Sequence, residues 1–365
     1  MNAATTIINI AYKRKQNIIQ RRCSSIPKIL HHEWIVEGKV LTEQGYEQQQ
    51  QQQQQRPESF VDHTVVFLHG LLGNGKNLRA PAKRITSLDP SIGVLNLDLR
   101  GHGLSHHPTS SSSSSHRKNA TSTIKPITIQ ECAQDVIHTV QHLGLISSMS
   151  PVACVGHSFG GRVALSYHHS LLFSDNDDNN PFHNIHPPHH CWILDSVPGA
   201  VNSSVASVIH ALDSIQPLTI QSKQELVTIL TEEKKLTAAI AMWMTTNLRK
   251  GSSSSSSMGN RTHPSWEFTF DLNLAKEVLN DFPKQDFLKL ISDIVSSTKN
   301  GKSSSHVHLV IAGLNQDWTP EIMSALEDIQ GKHNRLNLVR LKNANHWVHV
   351  DDLDGLVDAM KDHLL

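Results

Sequence analysis

A serine between small residues is the feature of this chain best suited to covalent chemistry. Residues 156–160 read Gly-His-Ser-Phe-Gly, and they follow an apolar run, 151–155, that predicts a buried strand and precede a helical pattern. A serine on such a strand-to-helix turn is held in strained backbone with its hydroxyl exposed, so that a side-chain base can reach it. We therefore expect Ser158 to be a nucleophile in acyl transfer. The alternative is a tight glycine turn whose serine is idle.

A second pattern could stabilise the charge that forms in the same reaction. Residues 63–68 predict a strand buried on both faces, and they run into His-Gly-Leu-Leu-Gly at 69–73. The oxyanion of acyl transfer needs two backbone N–H donors, one after the nucleophile and one from a neighbouring loop. Leu71 and Phe159 are therefore the candidate oxyanion-hole residues. The alternative is that 69–73 is an ordinary strand-ending turn.

A third strand and loop complete an ordered set of motifs. Residues 93–98 predict another buried strand, and Asp-Leu-Arg-Gly-His-Gly-Leu-Ser follows at 98–105. In this order, the His-Gly, Asp-x-Arg-Gly-His-Gly-x-Ser and Gly-His-Ser-Phe-Gly motifs resemble the α/β-hydrolase superfamily. The resemblance implies that Asp98, Arg100 and His102 brace the loops around the site, so that His102 is structural rather than catalytic.

The same resemblance implies an α/β fold with a mostly parallel central sheet, helices on both faces and a small helical lid. We expect the hydrolase core in residues 31–200 and 300–365, with the lid inserted at 201–299. Disordered inserts are expected near 44–58, 108–122 and 174–190. Tracts of biased composition support such surface loops, because loop-closure entropy grows slowly with length; they lie at 48–55, 110–115, 175–180, 252–257 and 303–305.

The general base is expected after the last strand. Residues 336–341 read as that strand, and His346 lies in the loop between it and a short amphipathic helix, 353–363. The superfamily places its catalytic histidine in this loop, so His346 is the candidate. His349 is the alternative.

Two aspartates could orient the base. Asp317 follows the predicted strand 307–312, at a position similar to the commonest acid position of the superfamily, and Asp195 follows the earlier strand 191–194. An aspartate in the earlier position, before a short proline-containing turn, resembles the YbfF-type esterase subgroup of abhydrolase domain-containing proteins. That subgroup commonly lacks the later aspartate, which this chain keeps. We favour Asp195 slightly, and either would fix the tautomer of His346 and stabilise its imidazolium.

The lid is expected to line the acyl pocket. Residues 225–236 and 237–248 carry apolar side chains at helical spacing. Met242 and Trp243 in the second segment, with Trp347 beside the candidate base, are the candidate substrate-contacting residues. The alternative is that the lid residues only form the core of the lid.

Composition excludes several classes of protein. The 33 basic and 33 acidic residues balance to a net charge of 0, so nothing points to nucleic acid or an anionic membrane as a partner. No apolar run approaches the roughly 20 residues of a membrane span. The cysteines have no paired spacing, which favours a reducing compartment over disulfides or a zinc site; they are Cys23, Cys132, Cys154 and Cys191.

Two further stretches have weaker interpretations. His183, His186, His189 and His190 lie close together, but without cysteines or carboxylates at ligand spacing we expect no metal site there. The N-terminal residues 1–30 are basic and have no acidic residue, which is typical of a mitochondrial transit peptide. A disordered basic tail on a cytoplasmic enzyme is the alternative.

The sequence as a whole predicts a serine hydrolase acting on a small-molecule carboxylic ester or thioester, the preference for these bonds coming from the subgroup resemblance. No metal or organic cofactor is required, and water completes the turnover. An acyltransferase or a lipid acyl hydrolase would use the same residues, and a catalytically idle binding protein of this fold is the alternative from another class. Relatives that cleave carbon–halogen bonds or epoxides carry an aspartate where this chain has Ser158.

Overall fold

The chain is described by a computed structural model covering residues 27–41, 61–106, 126–173, 184–199, 203–215, 220–251, 266–299, 302–303 and 305–364. The strands are, in chain order, β1 His32–Val36, β2 Lys39–Leu41, β3 His63–Leu68, β4 Ile92–Leu97, β5 Ala153–His157, β6 His190–Leu194, β7 Leu248–Lys250, β8 Trp266–Phe268, β9 Thr298–Lys299, β10 Lys302–Ser303, β11 His306–Ala312 and β12 Leu336–Leu341.

The helices alternate with the core strands. They are α1 Arg79–Leu88, α2 Ile129–His142, α3 Phe159–Leu172, α4 Ser203–Asp213, α5 Lys223–Thr228, α6 Ala238–Thr246, α7 Leu272–Leu279, α8 Phe287–Ser296, α9 Pro320–Lys332, α10 Val348–Asp351 and α11 Leu353–Leu364. A π-helical turn, Ile229–Glu233, follows α5. Within the described ranges, no helix is both long and apolar enough to cross a bilayer.

An eight-stranded sheet organises these elements. Its order is β12-β11-β6-β5-β3-β4-β1-β2. The six strands from β12 to β4 are parallel, β1 pairs antiparallel with β4, and β2 pairs antiparallel with β1. Parallel strands end at one edge of a sheet, where ligands of such folds bind. The loops after β3, β4, β5, β6, β11 and β12 therefore meet there. The predicted α/β-hydrolase architecture is confirmed.

Each face of the sheet is covered by helices. Val66 and Leu68 of β3 belong to one buried cluster, and Val65 and Phe67 belong to the other, because alternate side chains of a strand point to opposite faces. Helices α2 and α3 pack into the first cluster, and α1 and α11 pack into the second. Strands covered on both faces explain the continuous apolar runs in the sequence.

The packed chain reaches into three segments that the sequence assigns to a tail or to surface loops. The N-terminal tail ends before residue 31, since the Lys28 N–H donates to Asp135 Oδ1 at 2.6 Å and Leu30 is buried. The insert at 174–190 is packed from residue 184, where Ile185 is buried. The tract at 303–305 is not a surface loop throughout, since Ser305 is buried beside β11.

One helix of the segment 201–299, which the sequence predicts as a lid, packs against the core. Helix α8 is amphipathic, with Ile291 and Ile294 fully buried, and it packs against α3 and β11 of the core. It is therefore part of the crossover between the parallel strands β6 and β11. The remaining elements between β6 and β11 are α4 to α7 and the antiparallel pair β7–β8, and they form the candidate lid.

Other predictions fall partly outside the described residues. The features outside the described ranges are the tracts 48–55, 110–115, 175–180 and 252–257, the basic residues before Lys28, Cys23 and His183. The described cysteines are buried and unpaired, as the sequence predicts for small apolar side chains; they are Cys132, Cys154 and Cys191.

Candidate active site

The turn after β5 holds Ser158 in a conformation that L-residues rarely adopt. Ser158 has φ 52° and ψ −114° and is half-buried at the start of α3. Its backbone N–H donates to Leu194 O at 2.9 Å, and its carbonyl accepts from Gly161 N at 2.9 Å. A positive φ at a non-glycine residue costs about 1–3 kcal/mol and persists only where the surrounding structure enforces it. The elbow geometry expected from the motif is therefore present.

Close backbone contacts explain the glycines around Ser158. A Cβ atom at Gly156 would lie 2.1 Å from Gly160 O, and one at Gly160 would lie 2.2 Å from Leu68 O and 2.6 Å from His69 O. Any side chain at either position would collide with backbone. The serine turn is consequently packed directly against the end of β3, which carries the candidate oxyanion loop.

The two candidate oxyanion donors lie on these adjoining segments. Phe159 is the first residue of α3, and the first N–H groups of a helix have no intrahelical acceptor. In the described part of the chain, neither the Phe159 N–H nor the Leu71 N–H has a hydrogen-bond acceptor. Both backbone donors thus remain available for a substrate oxygen.

The neighbouring residue of the oxyanion loop is fixed by His102. Leu72 has φ 61°, and its N–H donates to His102 Nε2 at 3.1 Å. His102 Nδ1 lies 2.9 Å from Arg100 O, so the ring must be neutral, with Nδ1 protonated and Nε2 accepting. Burial, aided by the neighbouring His69, lowers the pKa of His102 to about 3. His102 therefore holds the backbone next to Leu71, the candidate oxyanion residue.

His69 makes the matching contact in the opposite direction. Its Nε2 accepts from the Leu99 N–H at 2.9 Å, and its Nδ1 lies 2.7 Å from Gly70 O. Burial lowers the pKa of His69 to about 4. Two neutral imidazoles, with ring centroids 5.2 Å apart, therefore cross-link the loops after β3 and β4.

Asp195 is the carboxylate that contacts the candidate base. It follows β6 with φ 45° and is 1% exposed. Its Oδ2 lies 2.8 Å from His346 Nδ1 and accepts from Asn315 Nδ2 at 2.7 Å. Its Oδ1 accepts from Ala312 N at 3.0 Å and Trp318 Nε1 at 2.6 Å. Four donors surround this buried carboxylate and fix its direction.

Asp317 lies on the loop after β11 that supplies Asn315 and Trp318. It is half-buried, and its N–H donates to Asn315 Oδ1 at 3.1 Å. The imidazole of His346 makes its carboxylate hydrogen bond with Asp195. The structure thus brings Asp195 to His346, while the Asp317 loop contributes the side chains on either side of Asp317 to hold that carboxylate.

The loop bearing His346 is tied to the serine turn. His157 Nε2 donates to His346 O at 2.8 Å, and the two rings lie 4.8 Å apart. His346 is therefore tethered to the residue directly before Ser158. His349, the alternative base, is 4% exposed behind His157, and burial lowers its pKa to about 4. A ring in that position faces the core rather than the mouth of the site.

The candidate substrate-contacting residues are only partly brought together. Trp243 of the lid lies 5.5 Å from Trp347, which adjoins His346, so these two indoles form one wall near the site. Met242 is 58% exposed and turns away from the buried face of α6, where Met244 lies.

Contacts between the lid and the catalytic loops were not found from the sequence. Asn74 Nδ2 donates to Asn247 Oδ1 at 2.8 Å, and both side chains are buried. Asp271 N donates to Gly101 O at 2.7 Å, so the lid is also attached to the loop after β4. Polar residues at the ends of predicted elements were the available signal, but their partners are distant in sequence.

A buried arginine on α3 fixes the turn that follows Asp195. Arg162 is 2% exposed, and its guanidinium donates to Val197 O at 2.7 Å and Gly199 O at 2.9 Å. It also lies over the Phe282 ring, 4.3 Å from the centroid. Desolvation lowers the pKa of Arg162 to about 10, so it stays charged at neutral pH. Arg162 thereby links the nucleophile helix to the acid turn.

Comparisons with known proteins agree with this architecture. A family model described as the alpha/beta hydrolase family matches residues 65–359. A Haemophilus influenzae protein with the provisional name esterase/lipase is 34% identical over 101 residues, which is 28% of this chain and 27% of that protein. The mouse sn-1-specific diacylglycerol lipase ABHD11 is 23% identical over 82% of this chain and 80% of its own length.

Solved structures resemble the chain in fold. A structure titled marine microorganism esterase has a TM-score of 0.58 and 18% identity, covering 84% of this chain and 95% of its own. The Saccharomyces cerevisiae peroxisomal alpha-beta-hydrolase Lpx1 has a TM-score of 0.53 and 15% identity, covering 85% of this chain and 78% of its own. At these identities, the likeness concerns the fold.

Proposed function

The chain belongs to the alpha/beta hydrolase family, and on that premise we propose that it is a serine hydrolase cleaving carboxylic ester or thioester bonds. The observation that carries the proposal is the 2.8 Å contact between His346 Nδ1 and Asp195 Oδ2, made at the strand ends beside the strained turn at Ser158. With Nδ1–H directed at the carboxylate, the Nε2 lone pair is left to act as a base.

The reaction follows from these roles. Ser158 Oγ attacks the acyl carbonyl while His346 Nε2 takes its proton, and Asp195 stabilises the imidazolium. The imidazolium then protonates the leaving alcohol or thiol as its bond to the carbonyl breaks, which leaves an acyl-serine. Water attacks this ester with the imidazole again as base, and the acid and the free serine are released. Asp317 remains the alternative acid for the orienting role.

The substrate oxygen would be bound between two backbone donors. The N–H groups of Leu71 and Phe159 lie on segments in direct backbone contact through Gly160, and they would stabilise the oxyanion. Trp243 and Trp347 would contact the acyl chain, and Met242 would contact it only if the lid closed further. The site should therefore prefer apolar acyl groups. The two indole rings, whose centroids lie 5.5 Å apart, support this preference.

A lipid acyl hydrolase is the second candidate. It is favoured by the similarity to a mouse diacylglycerol lipase over 82% of this chain. An acyltransferase would use the same groups, with another acceptor replacing water. The proposal includes a closer similarity to the YbfF-type esterase subgroup. In that subgroup the aspartate after the earlier strand, at the position of Asp195, orients the catalytic histidine. A catalytically idle binding protein would keep this fold without an activated serine.

Labelling with a fluorophosphonate probe tests the proposal. The full-length protein, Ser158→Ala and the matched control Ser170→Ala, on the same helix, would be labelled and digested for peptide mass spectrometry. We expect an adduct on Ser158 in the parent and the control, and loss of labelling and of p-nitrophenyl ester hydrolysis in Ser158→Ala. A folded parent that neither labels nor hydrolyses any ester or thioester would favour the binding protein.

We also propose that the basic N-terminal residues direct the chain to mitochondria. The proposal rests on their composition. Because Lys28 packs against Asp135, a deletion should stop at residue 26. Import of the intact chain into isolated mitochondria, with loss of import in the deleted chain and unchanged esterase activity, is the expected result. Equal import of both would refute it.

A further inference from the structure

A second group of histidines lies at the opposite edge of the sheet from Ser158. His190 begins β6, His308 lies at the third position of β11, and His363 lies in the last turn of α11. Because β6 and β11 are parallel and adjacent, their first residues meet at one edge. Of the histidines at 183–190, His190 belongs to this group. The other two rings come from β11 and α11, and not from that stretch of the sequence.

The three imidazoles converge closely enough to share one ion. One ring nitrogen from each of His190, His308 and His363 lies within 4.8 Å of the others. The closest pair, His190 Nδ1 and His308 Nε2, is 3.0 Å apart. Zn²⁺ binds imidazole nitrogen at about 2.0–2.1 Å in tetrahedral sites, which places two ligand nitrogens about 3.3 Å apart. The exposed side chain of His363 would need to move by only about 1.5 Å to reach such a separation.

The close pair of nitrogens can share either a proton, as a hydrogen bond, or a metal ion. Without an ion, one of the two rings must direct an N–H at the other. The second nitrogen of His308, Nδ1, lies 3.4 Å from the side-chain amide of Asn337. The Asn337 atom in this contact is Nδ2. With an ion on Nε2 and the Asn337 amide turned over, His308 can donate Nδ1–H to the amide oxygen, and a metal-bound histidine commonly donates its second N–H in this way.

The surroundings also fix the orientation of one of the three rings. The His308 ring is stacked on Trp192, 4.0 Å away and inclined by 8°, which fixes its plane. The carboxylates of Asp89 and Asp362 line the adjoining cleft of about 520 Å³.

We propose that His190, His308 and His363 bind one divalent transition-metal ion of the Zn²⁺ type, with water in the remaining position. Three neutral nitrogen ligands suit Zn²⁺ rather than Ca²⁺ or Mg²⁺, which require oxygen. The ion joins the end of the last helix to the start of two central strands. Its role is structural stabilisation, separate from the proposed ester hydrolysis at the other edge.

Metal titration of the full-length, tag-free protein after chelator treatment tests this site. The probes are Zn²⁺, measured by calorimetry against a competing chelator, and Co²⁺, measured by its visible absorption. Comparison of the parent with His363→Gln is the main arm. His210→Gln, which changes an exposed histidine of α4, is the matched control.

The expected result is a site of one-to-one stoichiometry with tetrahedral Co²⁺ absorption. Its affinity should fall at least about tenfold in His363→Gln and stay unchanged in His210→Gln. Saturating Zn²⁺ should raise the unfolding temperature of the parent and of His210→Gln, but not of His363→Gln. Should His363→Gln misfold, His190→Gln, which changes a half-buried residue at the start of β6, takes its place.

Equal one-to-one affinity in the parent and the variant would overturn the proposal, as would weak binding at several sites that no variant changes. Because ester hydrolysis is assayed separately, a failure here leaves Ser158 labelling untouched, and the reverse also holds.

Discussion

The two edges of the central sheet carry the same side chain in different surroundings. At the edge where β5 and β6 end, His346 faces the buried carboxylate of Asp195, which receives four hydrogen bonds. At the edge where β6 begins, His190 faces His308 and His363 with no carboxylate between their nitrogens. One strand thus connects both groups.

The difference shows that the partner determines what an imidazole can do. A carboxylate on Nδ1 selects one tautomer and stabilises the cation, which favours a general base. Facing imidazoles cannot all be protonated, so they favour a shared cation that replaces the proton. His102 is a third case. Backbone groups are hydrogen-bonded to both of its ring nitrogens, so the ring serves as a structural link between two loops.

The largest expected effect is a loss of kcat that leaves Zn²⁺ binding at the other edge unchanged. Asp195→Asn should lower kcat by about 10⁴-fold, because the amide stabilises the wrong tautomer of His346. Asp317→Asn should lower kcat by less than about tenfold, since it leaves the Asp195 contact intact. Steady-state kinetics on one ester measures both. Equal losses would mean that neither aspartate alone orients the base, and an altered Zn²⁺ affinity would show that the edges are coupled.

Removing the guanidinium of Arg162, which donates to the turn after Asp195, should have the next largest effect. Arg162→Met would remove the charged donor from the carbonyls of Val197, which is half-buried, and Gly199, which is exposed. It should lower the free energy of unfolding by about 1.5–3 kcal/mol. Urea denaturation measures this loss. Arg162→Lys, which keeps one charge but not the forked geometry, should recover only part of it. Full stability of Arg162→Met would show that the acid turn is held by other contacts.

A smaller effect concerns pH. An unfolded chain protonates its histidines below their usual pKa of 6.5, whereas the folded protein protonates His69 and His102 only near pH 4 and 3. Acid therefore favours the unfolded chain, and the free energy of unfolding should fall as pH drops from 6.5 towards 4. His102→Gln, which titrates no proton, should reduce that slope and cost about 1–3 kcal/mol at pH 7. Urea denaturation at several pH values tests this; an unchanged slope would contradict it.

The smallest effect is expected from the second edge. His363→Gln changes an exposed side chain far from Ser158, so kcat/KM should stay within about twofold. In metal-free buffer its free energy of unfolding should change by less than about 0.5 kcal/mol. Assay of the chelator-treated protein with and without Zn²⁺ checks both values. A large loss of activity would show that the metal edge influences the catalytic edge.

The local turns could be predicted because they depend on neighbouring residues. Gly156 and Gly160 indicate a turn whose backbone is in direct contact with neighbouring backbone. The apolar runs of β3 and β4 indicate strands covered on both faces. The boundaries of the lid were less predictable, since α8 has the same helical spacing as the lid helices but packs on α3.

The sequence by itself determined the order of the strands' motifs, the strained turn at Ser158 and the parallel architecture, because these follow from short-range periodicity and steric limits. Only the tertiary structure decided which aspartate meets His346, that Arg162 supports the turn after it, and that His190, His308 and His363 converge. Each of these contacts joins segments more than 30 residues apart. Which strands lie side by side, and not the composition of any one of them, brings such residues within a few ångströms.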